Sequence, residues 1–575
     1  MSEPQSAFAV YKQQLKSQTK KKHKPKKSSQ KIKNKALIVE KRDSVTMEAD
    51  GNSGSDEDIP QLVPIEDSWI ESSFIQENGG IQKKENGVTS RKRSLKHKSK
   101  SKPQKKKKKT FSNGEHNYIS KSSEISTNHT NFDEKAKTIF EWLIAPIKAS
   151  DFFETYWEKK PLIIKRGSNI YRHILSTEQL DLMLRENSLF FTKNVDVVQY
   201  KDGKKENFNT EGRAYASNLW SFYSDGCSIR ILNPHTYNSK IHQLLAALQE
   251  YFGTMAGANI YLTPPGSQGF APHYDDIEAF VIQLEGRKHW KLYGPRNSSD
   301  ILPRYSSENF DPKDLTSPVK EITLEAGDLL YFPRGVIHEG HTDDDSHSLH
   351  MTVSVYQRTS YADLLEHGLK AAIKIATEED PEYRKGLPIN YLKHVGAVNS
   401  ESVSQIRNSI IQTINHLTEK LVNYIPIDAA ADQLGKQFMW DALPPVLSKQ
   451  EKECSVHGNG EQLKKGTVSN RVEIDLDVDI RLIRYYGLRL VMEEDAKINV
   501  YYSVENAKVY HDEEMQYLEI QENYAPAIEH LLLNYPFFVK VSELPFEDDT
   551  TKVEFVTIFW ERGLLVTSKP LPSVE

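Results

Sequence analysis

Between Asn259 and Tyr356 the chain reads as many short strands broken by Gly- and Pro-containing turns, the pattern of a sandwich or barrel. One run limits the choice further. In Leu349-His350-Met351-Thr352-Val353-Ser354-Val355-Tyr356, alternation puts Leu, Met, Val and Val on one face and His350, Thr352, Ser354 and Tyr356 on the other. A small barrel turns such a polar face inward only around a site with polar ligands. A polar face turned to solvent satisfies the same alternation, so spacing leaves both open.

Just before this run, the stretch PPGSQGFAPHYDDIEAFVIQLEGRKHWKLY (264–293) carries His273 and Asp275 two residues apart. Residues at i and i+2 of a strand share a face, so an imidazole and a carboxylate project together. Downstream, Glu325 to Pro333 reads as another strand and His338 follows it. Two imidazoles and one carboxylate form a facial triad that leaves coordination positions open, a pattern suited to non-haem Fe(II) and unlike the closed shell of structural zinc. The chain has 19 histidines, and His341, His347 and His350 crowd His338, so an HxD spacing also arises by chance. Lys288 shares a strand face with Trp290 and Leu292. It either snorkels to an edge or meets a buried anion.

At 575 residues the chain exceeds what one core organises, so two or more domains are expected. The net charge of −5 hides an asymmetry: residues 1–110 hold about 27 Lys/Arg against about 13 Asp/Glu. Lysine runs at 20–22 and 105–109 lie among Ser, Asn and Gln, a composition expected to stay disordered. This tail is either merely solvated or a nuclear and nucleolar address that contacts nucleic acid nonspecifically. Two cysteines without a CxxC partner, and no apolar run of about 18 residues, predict a soluble intracellular protein without membrane contact. Cys227 and Cys454 read as one buried small hydrophobe and one loop thiol.

Order is expected from Phe132. Lys135 to Leu143 and Ser150 to Trp157 look helical, with Ser150 or Asp151 as the cap; Thr177 to Glu186 and Ile241 to Phe252 are further helices. Short strands are expected at 195–198, 227–232 and 259–263. After the barrel, Ser360 and Asp363 open a helix with a Glu366–Lys370 pair, and a second helix at 402–424 stripes Ile406, Ile410, Ile414, Leu417 and Leu421. Beyond Trp440 the elements shorten, with strands at 471–478, 481–492 and 497–503, a helix at 525–534, and elements at 552–561 and 563–568.

The 264–293 stretch, followed by GDLLYFPRGVIHEG and HSLHMTVSVYQR, resembles the JmjC ribosomal oxygenases from about Phe152 to the C-terminus, most strongly over 259–358. The resemblance implies an α+β protein. A double-stranded β-helix (a cupin-like JmjC barrel) over 132–359 would be followed by a helical dimerisation region at 360–439 and a winged-helix domain at 440–575, with a disordered basic tail at 1–131. It implies His273, Asp275 and His338 as Fe(II) ligands and catalytic centre, and Asn259, Lys288 and His350 as contacts to the co-substrate 2-oxoglutarate. Tyr261 and Ser354 would lie near the peptide substrate. The implied activity is hydroxylation of a histidine in a large-subunit ribosomal protein, demethylation of histone methyl-lysines, or both, by a homodimer in the nucleus, nucleolus and nucleoplasm. A scaffold on chromatin or pre-ribosomes whose barrel has lost turnover is the alternative, against which the intact triad and lysine speak. Winged helices often grip DNA, but 441–575 holds about 14 basic residues against about 25 acidic, which favours a protein-contact or structural role.

Overall fold

The computed structural model describes residues 132–493 and 497–574; the expected basic tail, 1–131, lies outside them. Two helices, α1 (Phe132–Ile144) and α2 (Ala149–Thr155), precede strand β1 (Leu162–Ile164). The cap of α2 is Lys148, with no side-chain hydrogen bond, so Ser150 and Asp151 lie inside the first turn and not at its cap. Helix α3 (Thr177–Glu186) opens on Ser176, whose hydroxyl accepts from the Gln179 N–H while the Gln179 side chain returns to the Ser176 backbone. That reciprocal cap fixes the start and turns Leu180, Met183 and Leu184 inward.

Strands β2 (Val195–Lys201), β3 (Lys204–Asn207) and β4 (Ser228–Leu232) enclose helix α4 (Ala216–Ser224) in sequence. Helix α5 (Ser239–Phe252) then leads into β5 (Ala256–Thr263), β6 (Glu278–Tyr293), β7 (Lys320–Glu325), β8 (Leu329–Phe332), β9 (Ile337–His341) and β10 (Ser348–Val355). The run expected as one strand from Glu325 to Pro333 is two elements, because the chain turns at Ala326-Gly327 and the Asp328 carboxylate accepts the Glu325 N–H at 2.9 Å.

The main sheet runs β1-β8-β6-β10-β5-β4-β2-β3, every pairing antiparallel. Strand β6 belongs to two layers. Its first half pairs with β8 and β10, and its second half, from Arg287, pairs with β7 and β9. The change of partners falls at Gly286, whose φ is +62° and where a Cβ would sit 1.8 Å from the His347 carbonyl oxygen. Only glycine fits that corner. The shared strand folds the layers into a barrel, and helices α1, α2 and α5 cover one flank with Phe140, Phe152, Phe252 and Phe280 in mutual ring contact.

After the barrel come α6 (Tyr361–Glu379), α7 (Gln405–Leu421), α8 (Ile427–Asp441) and the short α9 (Lys449–Glu453). Ser360 and Asp363 form the expected capping box. Glu366 pairs with Arg304 of the barrel at 2.7 Å in place of the expected Lys370. Helix α8, which packs on α6, had no forecast.

The last part has a hairpin, β11 (Gln462–Lys464) and β12 (Thr467–Ser469), then β13 (Asp479–Leu482), β14 (Leu488–Met492), β15 (Ile498–Tyr502), β16 (Tyr517–Ile520), α10 (Ala525–Asn534), β17 (Val539–Lys540), α11 (Asp549–Glu561) and β18 (Leu565–Thr567). They form the sheets β17-β13-β18 and β14-β15-β16 around Tyr502, Phe555 and Phe559. Residues 471–478 are not a strand, since they make one isolated bridge, Val472 to Ser573; 481–492 is split by a turn at 485–487. Both cysteines are buried, Cys227 just before β4 and Cys454 in the turn after α9. No helix among the described residues is long and apolar enough to cross a membrane.

Candidate functional site

Every residue of β10 is buried, so its polar face points into the barrel and not to solvent. The register pairs His350 with Tyr261, Thr352 with Asn259 and Ser354 with Gly257, which lines one interior wall with the polar faces of β5 and β10. Tyr261 stacks on His350 at 4.8 Å with the rings 6° apart. Asn259 is 2% exposed. Lys288, from the second half of β6, is also inside at 5% exposure; its ammonium donates to the Thr263 hydroxyl at 3.3 Å and lies over the Trp290 ring. It does not snorkel. Gly340 on β9 makes room for it, because a Cβ there would come within 2.9 Å of the Lys288 Cε.

His273 and Asp275 sit on the link from β5 to β6, and His338 on β9. An isolated bridge joins the first and last: the His273 N–H donates to the His338 carbonyl at 3.2 Å, and the His338 N–H to the His273 carbonyl at 2.9 Å. Their rings lie 4.9 Å apart. The Gly335 N–H donates to the Asp275 carbonyl at 2.9 Å, tying the carboxylate's backbone to the same turn. Ser306 reaches in from the loop after β6, its hydroxyl 2.9 Å from one Asp275 oxygen and 2.8 Å from one of Asp276. Gln357 donates to the Asp276 carboxylate at 3.1 Å.

The electrostatics fit metal binding. Burial pushes the His273 imidazole down to about 3, and pushes His338 and His350 well below the ordinary histidine range, so all three rings are neutral at neutral pH. His273 Nδ1 faces the Ala271 carbonyl, which only accepts, so Nδ1 carries the proton and Nε2 keeps its lone pair. His350 Nδ1 and the Thr352 hydroxyl are buried without a hydrogen-bond partner, which leaves polar capacity inside the barrel for a ligand. Trp290 and Phe332 wall the His338 ring at 5.9 and 5.8 Å. Among the described residues no three His, Cys, Asp or Glu side chains are grouped so that they could hold a metal ion, so the expected triad of His273, Asp275 and His338 is not assembled as one site. What the backbone fixes is the pair of imidazoles, with the carboxylate on the adjoining turn.

The structure thus brings His273 and His338 together and lines the barrel's inner face with Asn259, Tyr261, Lys288, His350 and Ser354, while Asp275 stands on the turn beside the two imidazoles and does not form a three-ligand group with them. Sequence reasoning had not singled out Ser306, Thr263 or Gly340. Thr263 was open to discovery, being two residues beyond Tyr261 on the inward face. Ser306 stands in a loop without periodicity and left no signal.

Comparison with known proteins adds the following. Residues 230–364 match the JmjC domain, and residues 443–571 match the ribosomal oxygenase 1 C-terminal winged helix domain. Ribosomal oxygenase 1 of Gallus gallus is 47% identical over 442 residues, 76% of this chain and 73% of that protein. Ribosomal oxygenase 1 of Danio rerio is 45% identical over 77% of this chain and 81% of its own length. The bifunctional lysine-specific demethylase and histidyl-hydroxylase NO66 of Aedes aegypti is 47% identical over 74% and 67% respectively. A solved structure of the Escherichia coli ribosomal oxygenase YcfD with cobalt and 2-oxoglutarate is a looser likeness, with a TM-score of 0.39 and 18% identity over 74% of this chain and 99% of that one. With a JmjC barrel, a matching winged-helix domain and relatives this similar over most of their length, the chain belongs to the ribosomal oxygenase family of JmjC proteins.

Proposed function

We propose that this protein is an Fe(II)- and 2-oxoglutarate-dependent oxygenase that hydroxylates a histidine of a large-subunit ribosomal protein, demethylates histone methyl-lysines, or does both. The observation that carries the reading is the bridge between His273 and His338 beside a buried ammonium, Lys288, that faces the same interior. The relatives' names, ribosomal oxygenase and histidyl-hydroxylase with lysine demethylase, support it.

His273 through Nε2, His338 and Asp275 would hold the iron, which with 2-oxoglutarate and oxygen supplies the oxidising power to hydroxylate an unactivated C–H bond. The protein's part is placement. Lys288 pairs with the far carboxylate of 2-oxoglutarate, with Asn259 and His350 completing its cradle. The Ala271 carbonyl keeps the His273 proton on Nδ1. Trp290 and Phe332 keep water from the reacting centre, and Tyr261 and Ser354 orient the peptide. Oxygen placed on a histidine carbon stays there. Placed on an N-methyl group, it leaves with the carbon as formaldehyde.

The same reading has the chain working as a homodimer in the nucleus and nucleolus, with the basic tail touching nucleic acid and the acidic winged-helix domain touching protein. Support for the dimer comes from Leu365, Leu369 and Ile373 on α6 and Ile406 and Ile414 on α7, all open to solvent. Purified protein with Fe(II) is expected to convert 2-oxoglutarate to succinate, and His273→Ala to abolish it; equal turnover would remove the triad. Mass spectrometry of histidine and methyl-lysine peptides separates the two reactions, as gain of an oxygen or loss of a methyl.

A further inference from the structure

The polar face of β10 does not end inside the barrel. Ser354, at its far end, also lines a cavity of about 810 Å³ enclosed by β5, β10, α6, α8 and the C-terminal domain. That volume lies within the usual range of about 300–1,000 Å³ for ligand sites, which favour domain boundaries. Its neighbours at the barrel end belong to the same hydrogen-bonded loops that hold the triad. Arg304 and Tyr305 precede Ser306, which bonds Asp275, and Gln357 bonds Asp276. The turn that separates barrel from cavity carries two non-glycine residues in left-handed backbone, Tyr356 at φ +65° and Arg358 at φ +49°, a strain that a working site retains.

The lining is aromatic and cationic. Tyr305, Phe438, Trp440, Tyr486 and Tyr510 form walls. Most of its charges are already satisfied: Arg304 by Asp363 and Glu366, Lys436 by Glu493, Arg489 by Asp432, and Asp441 by His511. Arg358 and Lys370 have no carboxylate within ion-pair distance among the described residues. An anionic group among apolar ones is what this cavity would complement.

We infer that the cavity is a second subsite for the polypeptide substrate, resting on the oxygenase reading. The residue to be modified enters the barrel past Ser354, while a flanking stretch of the same peptide, apolar or aromatic with one carboxylate, is held between α6, α8 and the C-terminal domain. Arg358 and Lys370 meet the carboxylate. The C-terminal domain thereby contributes to substrate choice without touching the reacting atoms.

The test uses the full chain loaded with Fe(II) and 2-oxoglutarate, and paired histidine-containing peptides from large-subunit ribosomal proteins. One peptide of each pair has roughly 7 residues; the other has about 20, extended to either side, a span well beyond the barrel at about 3.4 Å per residue. Fluorescence anisotropy gives Kd and mass spectrometry gives product. Wild type is expected to bind the long peptide at least about tenfold more tightly than the short one, a difference of about 1.4 kcal/mol. Lys370→Glu, which changes an exposed helical position, and Leu434→Trp, which fills the cavity, are each expected to erase that advantage while the short peptide's Kd and turnover stay the same. Replacing the flanking carboxylate by alanine should act like Lys370→Glu. Equal Kd for both lengths in wild type, or equal weakening of both lengths in both variants, overturns the subsite. Length-dependent binding with no product from any peptide would instead overturn the oxygenase reading and leave the subsite standing.

Discussion

Ser306 has one hydroxyl proton and two carboxylates, Asp275 and Asp276, within hydrogen-bonding distance. It can donate to only one at a time. Asp276 has a second donor in the Gln357 amide, so the Ser306 hydroxyl can turn to Asp275 and orient its carboxylate without leaving Asp276 unsatisfied. With Asp275 as a ligand on the proposed reading, removing a group that orients its carboxylate typically changes metal affinity by about 10- to 100-fold. Ser306→Ala is therefore expected to weaken Co(II) binding, followed by visible absorption, by about that factor while the thermal midpoint stays close to wild type. An unchanged affinity would reduce Ser306 to a loop tether. His273 and His338 were legible as a pair, but not through period-two alternation: residues 273–275 lie on the link between β5 and β6, outside any strand, and an isolated bridge joins His273 to His338. Ser306 was not, because only the folded loop brings it to Asp275 from 31 positions away.

Elements were read well where one residue type dictated the local geometry. Helix α3 has its reciprocal cap and α10 its proline-bearing first turn, and both run over the forecast spans. Reading failed where pattern and contact part company. Residues 471–478 alternate like a strand, yet acidic side chains alternate with the apolar ones and the Asp475 carboxylate turns back to accept the Asp477 N–H at 2.9 Å, so no ladder forms. Helix α8 carries Ala, Asp and Gly435 through its middle and offers no continuous stripe. The polar face of β10 had even claims on inside and outside in the sequence; closure of the barrel, which buries every residue of the strand, turns it inward. Two expectations belong at this scale. Gly286→Ala must place a Cβ on the His347 carbonyl, so it is expected to destabilise the protein by well over the roughly 1 kcal/mol typical of a point change, as a lowered denaturant midpoint. On the proposed homodimer, Ile373→Glu puts a charge in the open apolar row of α6, and light scattering is expected to give a dimer for wild type and a monomer for the variant, with the fold intact.

At the scale of the whole molecule, barrel and C-terminal domain are held together by polar groups that found partners across the seam. Gln249 of α5 both donates to and accepts from the Leu443 backbone, His242 meets the Pro444 carbonyl, and the Thr236 hydroxyl donates to the Lys508 carbonyl. Arg484, 1% exposed, pairs with Glu451 and lies 3.7 Å from the Phe132 ring, so the first helix of the described chain is anchored on the last domain. His235 sits in this seam beside His242 and Lys508, and burial lowers its imidazole to about 3. A folded-state value below the unfolded value of about 6.5 means the unfolded chain binds the extra proton. His235's contribution is thus complete above pH 6.5 and is lost as pH falls towards 3. The expected signature is a stability slope of about 1.4 kcal/mol per pH unit from this group between pH 6 and 4, which His235→Asn should remove in urea titrations at several pH values.

The double membership of β6 has a consequence for genetics. One continuous segment begins three residues after Asp275 and carries Lys288 in its second half, so on the proposed reading damage to it disables metal and co-substrate handling in a single stroke. Alleles that spare iron loading but alter which protein is modified should therefore map away from this strand, to the far end of β10 and to the helices beyond it.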